Sequence, residues 1–213
     1  AALQLGYRPA GSHAPAAGGL GLRLLSRRDL WRIVLSALPW TLYNGAYALI
    51  VAFLPNHLHA AGFGVNAAAS AVALANFLII GSVLAGGYLV QRVGRGDAIS
   101  IACLLAWSVT LALMVCAPGT LFWLLLGAVI GGLPAGALIA LPAEVLSPPQ
   151  RAPGMGLFYT VFYLGVAAFP ALGGYLLRDT QASASPIWLA VALGLATIVA
   201  IVIFRRAVLS WQR

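Results

Sequence analysis

GGYLVQRVGRG, Gly86–Gly96, returns in part as GGYLLR, Gly173–Arg178, and the two GGYL copies lie 87 residues apart. In a chain with 24 glycines one such match proves nothing. Applying the same offset to the whole chain supplies a test. Uncharged apolar runs occupy roughly 33–54, 67–90, 98–117, 120–143, 155–177 and 186–204. Moving the first three starts by 87 gives 120, 154 and 185, the starts of the last three within a residue. The same shift lays Leu54-Pro55 on Leu141-Pro142 and Gly45 on Gly132. The sequence reads as two copies of one three-span unit.

Each run is about long enough, as a helix rising 1.5 Å per residue, to cross ~30 Å of hydrocarbon. Lipid offers backbone groups no hydrogen bonds, so crossing segments should be helices. Composition points the same way. The chain is 62% hydrophobic and 8% charged, against about 25% charged in a soluble domain. That is too little polar surface to cover a water-soluble globule, so the lipid bilayer is the implied surrounding. Three spans per unit is an odd number, so the second unit enters from the opposite side and runs inverted. The expected fold is an all-α membrane protein, six transmembrane helices arranged as two inverted three-helix repeats, about 31–96 and about 118–206.

Arginine placement predicts the orientation. Arg23, Arg27, Arg28, Arg32, Arg92, Arg95, Arg151, Arg205, Arg206 and Arg213 flank the spans on one side, and Arg178 alone on the other. The positive-inside rule then puts both termini in the cytoplasm. A net charge of +8 could suggest nucleic acid. The arginines punctuate apolar runs instead of forming a patch with interleaved aromatics, so no nucleic-acid partner is expected. Arginine without any lysine suits a GC-rich genome and a bacterial inner membrane. Residues 1–28, rich in Ala, Gly and Pro, read as a linker, 29–208 as the six-span body, and 209–213 as a tail. The chain begins at Ala1 without a readable secretory signal, and is expected to be processed or excised from a longer one. Cys103 and Cys116 would lie ~20 Å apart on one helix and cannot bridge. No metal and no cofactor are expected, and His57-x-His59 reads as a solvated loop.

Polar residues inside the spans are few. Trp40, Tyr43, Asn44 and Tyr47 recur at spacings that share one helix face. An amide at mid-depth is costly against lipid, so Asn44 should face the protein interior or a water-filled cavity. Asn76, Tyr159, Thr160 and Tyr163 extend this substrate-cavity set. Asn76 and Tyr163 are equivalent under the offset, which makes them candidate partners. Gly127, Gly131, Gly132 and Gly136, with Pro134 among them, predict close helix packing and a bend. Gly173 and Gly174 predict a second close approach. No Asp, Glu, Lys, Arg or His lies inside any of the six runs. These spans therefore offer no group for proton or ion binding and no charge to neutralise an opposite one within the membrane. An intramembrane protease would need a Gly-x-Ser-Gly nucleophile and a histidine within a span, and neither exists; an enzyme is not expected.

Gly87–Arg95 resembles the loop motif of the major facilitator superfamily, Gly-x-Leu-x-Asp-Arg-x-Gly-Arg. Gly87, Arg92, Gly94 and Arg95 match it, while Gln91 stands at the Asp position and Gly96 follows the last Arg. The stretch GVAAFPALGGYL, Gly165–Leu176, is similar to that family's eleventh span, and Pro142–Gly156 to the loop before it. The resemblance runs from about Arg23 to Arg206 and implies the second half of a twelve-span transporter. It implies alternating access, a small-molecule substrate held between two six-span halves, and a missing N-terminal half as partner. It also implies that the first helix of each unit lines the cavity. Glu144, ending the fourth span, is expected to pair with Arg92, Arg95 or Arg151 and latch a cytoplasmic gate. The alternative is a half-size protein, working as a homodimeric transporter or serving as a membrane scaffold.

Overall fold

The computed structural model describes residues 25–211; most of the linker expected over 1–28 and the end of the tail lie outside them, while Arg27 and Arg28, placed in that linker, already belong to the first helix. Helix α1 (Arg27–Ala60) starts at a capping box. The Ser26 hydroxyl accepts from the Asp29 amide at 3.2 Å, and Asp29 accepts from the Ser26 amide at 3.0 Å. Helix α2 (Val65–Val93) stops at Gly94, whose φ of 69° is left-handed and whose N–H reaches the Val90 carbonyl. The loop-motif glycine thus makes the turn into α3 (Gly96–Cys116).

The fourth crossing is broken. It consists of α4 (Phe122–Gly131), a turn through Gly132–Pro134, α5 (Ala135–Ala140) and a 3₁₀ turn at Leu141–Glu144. Pro134 has no N–H to give, and the Ala135 N–H turns to the Gly132 carbonyl. Helices α6 (Arg151–Thr180) and α7 (Ser185–Trp211) complete six segments long and apolar enough to cross a membrane. No strand occurs among the described residues.

The helices overrun the apolar stretches at their ends, because helical hydrogen bonding continues after the side chains turn polar. One consequence corrects the loop reading of the histidines. His57 and His59 lie in the last turns of α1, and His57 is buried with Nδ1 3.1 Å from Ser183 Oγ.

The packing is reciprocal between the two units. Helix α2 packs on α4 and α6 on α1; α3 packs on α4 and α7 on α1; α3 and α7 meet each other. Exchanging the units swaps the first four pairs two by two and leaves the α3–α7 pair unchanged. The second helix of each unit therefore lies on the first helix of the other, and a shared core forms around Leu49, Leu54, Leu104, Trp107, Leu138 and Ile187. Two polar ties define the ends of the bundle. The Gln150 side-chain amide donates to Asp29 at 2.9 Å at one end, and His57 meets Ser183 at the other. The first GGYL closes α2 at the Asp29 end; the second lies on α6 beside Leu49 and Phe53, toward the His57 end. The two copies occupy opposite ends, as inversion requires.

Candidate functional site

The polar stripe of α1 divides between two surroundings. Tyr43 points into the core, 6% exposed, its ring 5.6 Å from that of Trp107. Its hydroxyl donates to the Gly131 carbonyl at 2.7 Å. That carbonyl lies at the break, where the Ala135 N–H has gone to Gly132 instead. Ser82 similarly donates to the Val129 carbonyl at 2.5 Å. Two side chains thus satisfy backbone oxygens that an unbroken helix would have used itself.

Trp40, Asn44 and Tyr47 lie on the other side of this division. The Asn44 amide donates to the Trp40 carbonyl at 2.8 Å, and the Tyr47 hydroxyl donates to Asn76 Oδ1 at 3.0 Å. Asn76 therefore finds its partner on α1, not in Tyr163. The helices explain the difference: Asn76 occupies the α1-facing side of α2, whereas Tyr163, 64% exposed, stands on the outer side of α6. Tyr163 stacks instead with Tyr159 at 6.2 Å and leans on Phe162 at 4.8 Å. Thr160 is exposed and bonds back to the Gly156 carbonyl at 2.9 Å.

Between α1 and α6 runs an open groove of about 350 Å³, lined by Asn44, Tyr47, Ala48, Val51, Phe162 and Val166 among others. Ala48 and Phe162 carry no sequence signal, because an apolar residue in an apolar run looks the same whether it faces a groove or lipid.

The glycines divide by what a Cβ would meet. At Gly131 it would sit 2.7 Å from Trp107 Nε1, at Gly127 2.8 Å from Thr110 Oγ1, and at Gly132 2.7 Å from the Ile79 carbonyl. At Gly86 it would collide with the Leu133 backbone, and at Gly173 with the Leu49 side chain. A Cβ at Gly136 would sit 3.6 Å from the Gly87 Cα, and one at Gly174 3.8 Å from the Phe53 ring, both ordinary contacts.

The ion pair expected of Glu144 forms with a different partner. Glu144 pairs with Arg205 on α7, not with Arg92, Arg95 or Arg151. Arg205 Nε also lies 2.6 Å from Asp97 Oδ2, and Nη2 donates to Asp97 Oδ1 at 2.7 Å and to Glu144 Oε1 at 3.1 Å. Three crossings end together there: the start of α3, the turn after α5 and the last turns of α7. Arg92 is engaged one turn back with the Tyr88 hydroxyl at 3.0 Å. Arg95 borders a cavity of about 640 Å³ beside Asp97 and Glu144, while Gln91 and Arg151 are exposed. Sequence alone could not single out Arg205, which looks like any arginine flanking a span.

Six apolar crossings in reciprocal three-helix units, with a largely apolar groove between α1 and α6, define a multi-pass membrane protein. The chain matches the Major Facilitator Superfamily over residues 33–212 and belongs to that family. It is a membrane transporter of the major facilitator type. Among curated proteins none gives a significant match.

Proposed function

We propose that this chain is the C-terminal half, spans seven to twelve, of a twelve-span secondary transporter that moves a small organic solute by alternating access. The observation that carries this reading is the sparse burial of two equivalent helices. Only Gly154, Phe158 and Gly173 are buried among the 30 residues of α6, and only six residues among the 29 of α2. Helix α2 leaves Phe77, Ile80, Leu84 and Tyr88 exposed, and α6 leaves Tyr159, Tyr163, Leu172 and Tyr175. These faces fit a second six-span half, which would close the α1–α6 groove into a substrate cavity. Trp40, Asn44, Tyr47 and Asn76 form its wall on this side, with Tyr159, Thr160 and Tyr163 at its edge. Tyr43 supports the wall from behind. The basic end, with both termini, faces the cytoplasm of a bacterial inner membrane. There the loop motif Gly87–Arg95 and Glu144 border the gate.

The test is flux of a compound panel into proteoliposomes holding the full-length protein. Saturable flux that falls at least tenfold in Asn44→Ala is expected. Flux indifferent to Asn44 would remove the groove from the pathway. A chain that purifies as a six-span homodimer and transports in that form would establish the half-size alternative instead.

A further inference from the structure

The groove between α1 and α6 has a composition that selects by charge and polarity. Its walls hold one carboxamide and one phenol among aliphatic side chains and the Phe162 ring. No Asp, Glu, Lys, Arg or His lies between residues 33 and 56 or between 152 and 177, so neither helix offers the groove a counter-charge. A charged solute entering it would lose water and gain no opposite charge.

The polar groups present are partly engaged. The Tyr47 hydroxyl already donates its hydrogen bond to Asn76 Oδ1 at 3.0 Å. Asn44 gives one amide hydrogen to the Trp40 carbonyl. A carboxamide has two hydrogens and an acceptor oxygen, so Asn44 keeps one donor and one acceptor. That pair complements another amide, or a single hydroxyl. Beyond it the walls are apolar, and aromatic rings gather at one side. Phe162 lies 6.1 Å from Trp40 and 4.8 Å from Tyr163, and Tyr163 stacks on Tyr159. Ala48 and Ala52 leave room along the floor. A polyhydroxylated solute would bury several hydroxyls against this surface with one partner between them, which costs free energy for each unpaired group.

Resting on the transporter reading above, we propose that the groove takes an uncharged, ring-bearing compound with one amide or hydroxyl. The polar group sits on Asn44 and the ring lies against Phe162. Ions, sugars and charged metabolites are excluded from this side of the cavity.

The experiment measures binding of benzamide, benzoate, benzylamine and mannitol to the full-length protein in nanodiscs by equilibrium dialysis, with empty nanodiscs subtracted. Benzamide should bind saturably and at least tenfold more tightly than the other three. Ala48→Phe, which fills the groove, should abolish that binding. Asn44→Asp should reverse the order, favouring benzylamine over benzamide; this gain cannot come from misfolding. Tighter binding of mannitol or benzoate, or benzamide binding indifferent to both variants, overturns the proposal. Flux of charged or polyhydroxylated compounds that still depends on Asn44 would overturn this inference and leave the transporter reading standing. Benzamide binding with no flux of any compound would overturn the transporter reading alone.

Discussion

Helix α1 and the broken pair α4–α5 hold equivalent places in the two units, yet they meet the demand for polarity in opposite ways. The repeat offset lays Asn44 on Gly131, Gly45 on Gly132 and Tyr47 on Pro134. Helix α1 stays continuous, even with Pro39 and Pro55 inside it, and carries its polarity on side chains. Apart from the Trp123 indole, the α4–α5 crossing has no polar side chain from Phe122 to Ala143. It presents backbone oxygens instead, because two poor helix formers precede Pro134 and the chain relaxes into tighter turns there. The two solutions interlock at the Tyr43 hydroxyl, where the polar helix satisfies the broken one. A membrane bundle can thus obtain buried hydrogen bonds from side chains or from an interrupted backbone, and inverted units need not use the same means.

The largest effect is expected where the break packs against α2. In Gly86→Leu the new side chain meets the Leu133 backbone, which cannot rotate away as a side chain can. A loss of about 3 kcal/mol or of folded protein altogether follows, read as thermal unfolding in detergent. Gly174→Ala, in the other GGYL copy, should change that midpoint little. Arg205→Ala comes next. It removes the guanidinium that joins Asp97 and Glu144, and a loss of about 1 kcal/mol is expected because the site is part-exposed. Arg205→Lys should recover only part of it, since an ammonium cannot serve two carboxylates in the guanidinium's fork.

Tyr43→Phe keeps the ring against Trp107 and removes one hydrogen bond, about 1 kcal/mol. Its value lies in a double-mutant cycle with Pro134→Ala. If that change lets α4 run through, the Gly131 carbonyl returns to the helix and Tyr43→Phe becomes nearly silent. Fully additive losses would show that the break and the tyrosine are independent. Smallest is Tyr47→Phe, about 0.6 kcal/mol in a membrane interior. Asn76→Ala should cost the same, and the two together no more than one alone.

Hydropathy and spacing are properties of the chain read in one dimension, and they determined whatever depends on them. Six crossings, the 87-residue offset and the opposite addresses of the two GGYL copies were all legible before any contact was known. So was the bend at Pro134, since a residue without an N–H cannot continue the helix ladder. Which groups touch was decided by tertiary structure. Tyr43 and Asn44 are neighbours in sequence, yet one turns to Trp107 and the break while the other turns to the groove, because adjacent residues on a helix point about 100° apart. Glu144 meets Arg205, 61 residues away, because three helix ends converge where none of the intervening sequence says they will. Asn76 bonds Tyr47 and not its repeat mate Tyr163. An internal repeat equates positions, but helix rotation and crossing, set by the packing of Gly86, Gly132 and Gly173, decide which side chains face each other.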